Sequence, residues 1–226
     1  MVAPRTAPAS ERWTRAARCL GIGSSIGILA IGSLYAAVIT LWVIIEGAPR
    51  EPIADPYLAV MEGLTMASAA AFLGLIIAIW CFADVARRLP ALSALVIGTL
   101  AVGLTLTVHF VQLTAIRQLW RARRLSDYRL VWPSALFAAE YLAWDILVGM
   151  SMVAAGLALA GGAAAARARR CLSIGGILCL VGAAGPISGR MWLQNVAVFG
   201  YAVMLPIAGA LTARLFRAVS PHSAAA

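Results

Sequence analysis

Six apolar stretches alternate with short polar segments along this chain: Leu20 to Ile45, Gly63 to Ala83, Leu92 to Ile116, Ala135 to Ala160, Cys171 to Gly189 and Trp192 to Ala213. One bilayer crossing consumes about 20 apolar residues. The pattern therefore predicts six transmembrane helices and leaves no stretch long enough for a soluble domain. The expected fold class is all-α, a polytopic six-helix bundle over 20–216 between a basic N-terminal segment, 1–19, and a short tail, 217–226. The first apolar run, about 26 residues against the 7 to 15 of a signal-peptide core, reads as a retained helix.

Small residues recur at four-residue spacing inside the spans, as Gly23 with Gly27, Gly156 with Ala160 and Gly185 with Gly189. Such spacing lets helix backbones approach closely in lipid, and general bundle packing accounts for it better than a dedicated dimer seam. Oligomeric state stays open. Gly185 to Arg190 carries Gly, Pro, Ser and Gly in six positions, which predicts a tight turn joining spans five and six into a hairpin.

Composition narrows the chemistry. The chain is 62% hydrophobic and 12% charged, with a mean hydropathy of +0.91, against roughly a quarter charged residues in soluble domains. All 18 basic residues are arginine. Without lysine there is no Schiff base for retinal or pyridoxal phosphate and no Walker A loop. One of the two histidines, His222, lies in the tail, so a three-histidine zinc site and bis-histidine haem ligation are excluded. No metal and no cofactor are expected. The net charge of +9 sits in loops beside apolar spans, where arginine serves orientation and anionic headgroups; membrane lipids are expected partners and nucleic acid is not.

Arg5, Arg12, Arg15 and Arg18 precede the first span and place the N-terminus in the cytoplasm by the positive-inside rule. Six crossings return the C-terminus to the same side, with eleven arginines inside and seven outside. Five of those seven crowd one loop, as Arg117, Arg121, Arg123, Arg124 and Arg129, and count against this orientation. Trp13, Trp42, Trp80, Trp120, Trp132 and Trp192 fall near span ends, where an amphipathic ring suits the headgroup region. Cys19, Cys81 and Cys171 lie at cytoplasmic ends and Cys179 within a span, so no disulfide is expected.

Ionisable groups in hydrocarbon are costly and mark sites by default. His109, Glu140 and Asp145 qualify. His109 and Gln112 share a face of span three, about 12 Å below its outer end, and Glu140 lies about 10 Å down the antiparallel span four. The two are at matching depth. Glu140 shares a face with Trp144, and Tyr141 with Asp145, but Glu140 and Asp145 diverge by about 140°, so one small ligand cannot meet both carboxylates. Span six adds Arg190, Gln194 and Asn195, with Arg190 as the candidate anion contact; span one adds Tyr35 and Thr40. Together these predict a polar cavity in the outer half of the bundle. The plainer alternative is a satisfied interhelical network of His109, Glu140 and Arg190 that only fixes packing. Arg117, Arg121 and Arg124 would line one side of a short extension of span three, suited to a lipid phosphate or simply solvated. Pro186-Ile-Ser-Gly is similar to the serine motif of rhomboid proteases, but proline replaces its first glycine and no later span supplies a histidine.

At His109-Phe-Val-Gln-Leu-Thr114 and Glu140-Tyr-Leu-Ala-Trp-Asp145 the chain resembles a group of small bacterial multi-pass membrane proteins of uncharacterised function. The resemblance implies that the two segments belong together and a bacterial inner-membrane setting; it implies no activity. The expectation is a pocket that binds or transports a small molecule or lipid headgroup, with Glu140 as charge or proton partner and His109 as its neighbour. Two alternatives stand beside it: an intramembrane enzyme using His109 and Glu140 as an acid–base pair on a lipid-borne substrate, and a noncatalytic assembly or accessory subunit. Lacking a nucleophile or metal set, the enzyme ranks second.

Overall fold

A computed structural model describes residues 11–46, 55–121 and 132–221. Among them are six helices long and apolar enough to cross a membrane, and no strand. They are α1 (Arg15–Ile45), α2 (Tyr57–Phe82), α3 (Val85–Leu119), α4 (Ala135–Ala158), α5 (Ala163–Ser188) and α6 (Met191–Ala218). This is an all-α bundle of a multi-pass membrane protein.

Helix starts follow local chemistry. Asp84 accepts a bond from the Arg87 amide at 3.0 Å and begins α3; Ser134 does the same for Phe137 at 3.1 Å and begins α4. Such caps satisfy amide donors that have no partner in the first turn. Hydropathy located the spans but not their ends: α2 begins at Tyr57, just after Pro56, and α5 at Ala163, so Arg167, Arg169 and Arg170 are helical rather than in a loop.

One end of the bundle gathers the start of α1 with the ends of α2, α4 and α6. Arg18 donates to the carbonyls of Phe216 at 2.9 Å and Arg217 at 2.8 Å, which closes the last turn of α6. Arg87 donates to the Leu157 carbonyl at 2.7 Å and so ties α3 to the end of α4. Trp13 stacks among Phe82 and Phe216, with ring centroids 5.1 and 4.9 Å away. It is fully buried, and Trp42 is nearly so; both lie near the ends of α1, as the sequence pattern suggested, with their rings packed against the protein. Partner rings at the same depth give Trp13 a better environment than the interface does.

Close packing relies on glycines, though not all those picked out by spacing. Gly23 has nothing within 4 Å of where a side chain would begin, and Gly27 only an ordinary contact with Ala71. Gly156 and Gly185, of the same spacing, do lie in tight seams, with a Cβ standing 2.4 Å from Ser173 Oγ and 2.6 Å from the Gln194 nitrogen, and other glycines join them. A Cβ on Gly176 would stand 2.5 Å from the Gly149 carbonyl oxygen, and one on Gly182 would stand 2.3 Å from the Ala197 nitrogen. The latter holds α5 and α6 as the expected hairpin, which turns at Gly189 with a φ of 73°. α1 packs on α2 and α6 only along part of its surface; Ile26, Leu29, Leu34 and Ile44 are exposed, as suits a lipid-facing side. The four cysteines are free thiols.

Candidate functional site

At the end of the bundle opposite Trp13, the helices enclose a cavity of about 650 Å³. Its walls come from α1, α2, α3, α4 and α6. Most of the lining is apolar, with Ile28, Ile39, Leu64 and Leu205 among its residues, and the polar groups converge from all five of these helices. Pockets of 300–1,000 Å³ with an apolar wall and a few convergent polar groups are typical of small-molecule sites.

The centre of the polar wall is His109. Its Nδ1 contacts Oε2 of Glu62 on α2, and its Nε2 lies 2.7 Å from Oε1 of Glu140 on α4. Glu62 and His109 are buried, and the Glu140 side chain is 14% exposed. One imidazole thus bridges two carboxylates carried by two other helices. His109 and Glu140 are brought together as the depth comparison suggested. Glu62 lies just before the second apolar stretch, Gly63 to Ala83; it belongs to the site because α2 starts earlier than hydropathy indicates. Pro56, a residue favoured at helix starts, was the available signal.

The proton count of this bridge is informative. Two nitrogen-to-oxygen hydrogen bonds need two shared protons. An imidazolium between two carboxylates and a neutral imidazole between one carboxylate and one carboxylic acid both satisfy that requirement, and both carry a net charge of −1. A third proton would neutralise the triad, and one place for it is Oε2 of Glu140, which has no hydrogen-bond partner.

Other expected residues divide into lining and non-lining. Gln112, Tyr141, Trp144 and Gln194 line the cavity, and so do Tyr35 and Thr40 of α1. Gln194 donates to the Tyr201 hydroxyl at 3.3 Å, and Tyr201 stands 5.4 Å from Trp144, centroid to centroid. Tyr201 had escaped the sequence reading, although it lies two turns beyond Gln194. Asp145 is completely buried but does not line the cavity; neither of its carboxylate oxygens makes a hydrogen bond of good geometry, and the Gln194 amide is a polar neighbour. Arg190 and Asn195 are exposed and lie outside the lining. The turn at Gly189 directs Arg190 outward, so it is not the anion contact its depth suggested. Arg117 donates to Asp55 at 2.7 Å, each side chain about a third exposed, and is therefore engaged with a carboxylate. The Arg121 side chain, and the whole of Arg124, fall outside the described residues.

Three of the five helices that carry polar groups widen into π turns beside the cavity: Gln112–Ile116 in α3, Leu142–Val148 in α4 and Gly200–Met204 in α6. A π turn closes on the fifth residue rather than the fourth, is rare, and recurs at functional sites. Here each lies next to or includes a polar residue of the wall. Among the described residues no cluster of three or more His, Cys, Asp or Glu side chains could hold a metal ion. Compared with known proteins, the chain matches no family model, no curated protein and no solved structure.

Proposed function

We propose that this protein binds a small, largely apolar molecule in the intramembrane cavity and couples its binding or passage to the protonation of the Glu62, His109 and Glu140 triad. The observation that carries the reading is the cavity wall itself. It holds a carboxylate–imidazole–carboxylate bridge and further buried polar atoms, namely Gln112 Oε1, Glu140 Oε2 and Trp144 Nε1, that have no partner among the described residues. Buried polar groups are normally satisfied, and a packing network would satisfy its own members. A ligand or water that enters the cavity would complete these three. The arginine distribution supports a bacterial inner-membrane orientation with both termini cytoplasmic, which puts the cavity in the extracytoplasmic half.

The test is native mass spectrometry of protein extracted gently from its own membranes, wild type against Glu140→Gln. The reading expects a defined bound mass in the wild type that the variant loses. Identical nonspecific lipid in both would favour the packing network. A second reading is an enzyme with Glu140 as acid–base group and His109 as its positioning partner. It is favoured by the orientation of the ring, whose Nδ1 is held by Glu62 while Glu140 keeps one oxygen unpaired. Chemical change of a lipid by the protein in closed vesicles, abolished by Glu140→Gln, would establish it.

A further inference from the structure

The triad's two hydrogen bonds are satisfied at a net charge of −1, and among the described residues no other cationic side chain lines the cavity to balance it. Among the described residues no arginine lines the cavity, and the chain has no lysine. Arg117, nearest in sequence to the wall of α3, is paired with Asp55, and Arg190 is turned outward. An uncompensated charge in a low-dielectric site is costly and favours a counter-charge from the occupant. An anionic headgroup would meet repulsion instead.

Two residues that line this space carry a buried acceptor with no partner among the described residues. Gln112 Oε1 belongs to a side chain in a residue only 4% exposed, and Glu140 Oε2 shares its carboxylate with the His109 bond. Both want hydrogen-bond donors. Tyr35, Tyr141, Trp144 and Tyr201 supply aromatic surface around them, which attracts cations over ring faces. The remainder of the wall is aliphatic.

Resting on the pocket reading above, we propose that the occupant is an organic monocation: a protonated amine whose N–H groups reach Glu140 and Gln112 and whose apolar body fills the aliphatic part of the cavity. Phosphate-bearing lipid headgroups are excluded by the same charge. The binding step transfers no covalent bond. One ammonium replaces, in charge, the third proton that would otherwise neutralise the triad.

Equilibrium binding to the full chain in lipid nanodiscs tests this, with empty nanodiscs subtracted for partitioning. The probes are radiolabelled decylamine and decanol, with decyltrimethylammonium and decyl phosphate as competitors. Saturable decylamine binding is expected, about tenfold or more tighter than decanol, which corresponds to about 1.4 kcal/mol. Decyltrimethylammonium, which has charge but no N–H, should compete more weakly than decylamine, and decyl phosphate not at all. Glu140→Gln should weaken decylamine by about tenfold and leave decanol unchanged. If Glu140→Gln does not give a monodisperse protein, Gln112→Ala removes the second acceptor and should weaken decylamine alone. Equal affinity for decanol and decylamine, or competition by decyl phosphate, overturns the cation. The pocket reading survives that result if Ala36→Trp, which fills the cavity from α1, abolishes decanol binding. Absence of saturable binding by every probe overturns both.

Discussion

Replacing His109 by leucine strips two buried carboxylates of their shared partner in one step. Hydrogen bonds to charged groups contribute about 1.5–3 kcal/mol each in soluble proteins, so two of them amount to about 3–6 kcal/mol. Interhelical bonds in membrane proteins average about 0.6 kcal/mol, because the unfolded helices also find partners in the bilayer. The triad belongs nearer the upper figure. Glu62 is 4% exposed and its helix meets the carboxylate of α4 through the ring; breaking a buried pair leaves the other charge uncompensated. A loss of about 3 kcal/mol is expected for His109→Leu, measured by reversible unfolding in bicelles. Glu62→Gln and Glu140→Gln should be non-additive in the wild-type background by about 1 kcal/mol or more, since each carboxylate senses the other through one imidazole. In the His109→Leu background they should add within about 0.5 kcal/mol. If His109→Leu unfolds within about 0.5 kcal/mol of wild type, or if the glutamates already add, the bridge does not act as one unit.

Trp144→Phe should cost no more than about 1 kcal/mol in stability, since Nε1 makes no bond, yet weaken an amino alcohol more than the matched amine, as binding in nanodiscs would show. Gly182→Val should destabilise the α5–α6 hairpin by about 1–3 kcal/mol or more, because its Cβ would stand 2.3 Å from the Ala197 nitrogen, whereas Gly23→Ala should be neutral or stabilising; thermal unfolding of both checks this. Arg117→Ala removes a pair with both side chains about a third exposed, so unfolding should shift by no more than about 1 kcal/mol and decylamine binding should be unchanged. Acidification should weaken decylamine binding by about tenfold per pH unit once a third proton enters the triad, because one proton and one cation compete for the same charge. The titratable groups that interact with Glu140 are Tyr35 from α1, Glu62, His109, Asp145 and Tyr201, and a binding curve flat across acidic and neutral pH would remove the exchange.

Much of this arrangement was legible in the chain itself, for identifiable reasons. Hydropathy found six spans because hydrocarbon tolerates little else, and helical rise placed His109 and Glu140 at one depth. The same measure places the start of α2 too late, since a helix can begin outside the apolar run it contains, and so leaves Glu62 out of the span. Arg190 was chosen on depth alone, and depth says nothing about azimuth; the left-handed Gly189 sets that. Trp13 looked interfacial because its position along the chain is visible, while its contacts with Phe82 and Phe216 depend on how α2 and α6 pack. Asp145 was kept apart from Glu140 by helical phase, and only Glu140 lines the cavity.

The three π turns bear on how this chain can change length over generations. Each π turn carries one residue more than the helix around it needs, so deleting a single residue within Gln112–Ile116, Leu142–Val148 or Gly200–Met204 would restore a regular α-helix. The span would remain long enough to cross the bilayer. Everything on one side of the deletion, however, would swing by about 100° relative to the other. Such deletions would leave insertion intact while turning Glu140 out of phase with the rest of α4, or Gln194 with the rest of α6. The cavity end of the bundle is therefore where a one-residue change in length separates being made from being functional.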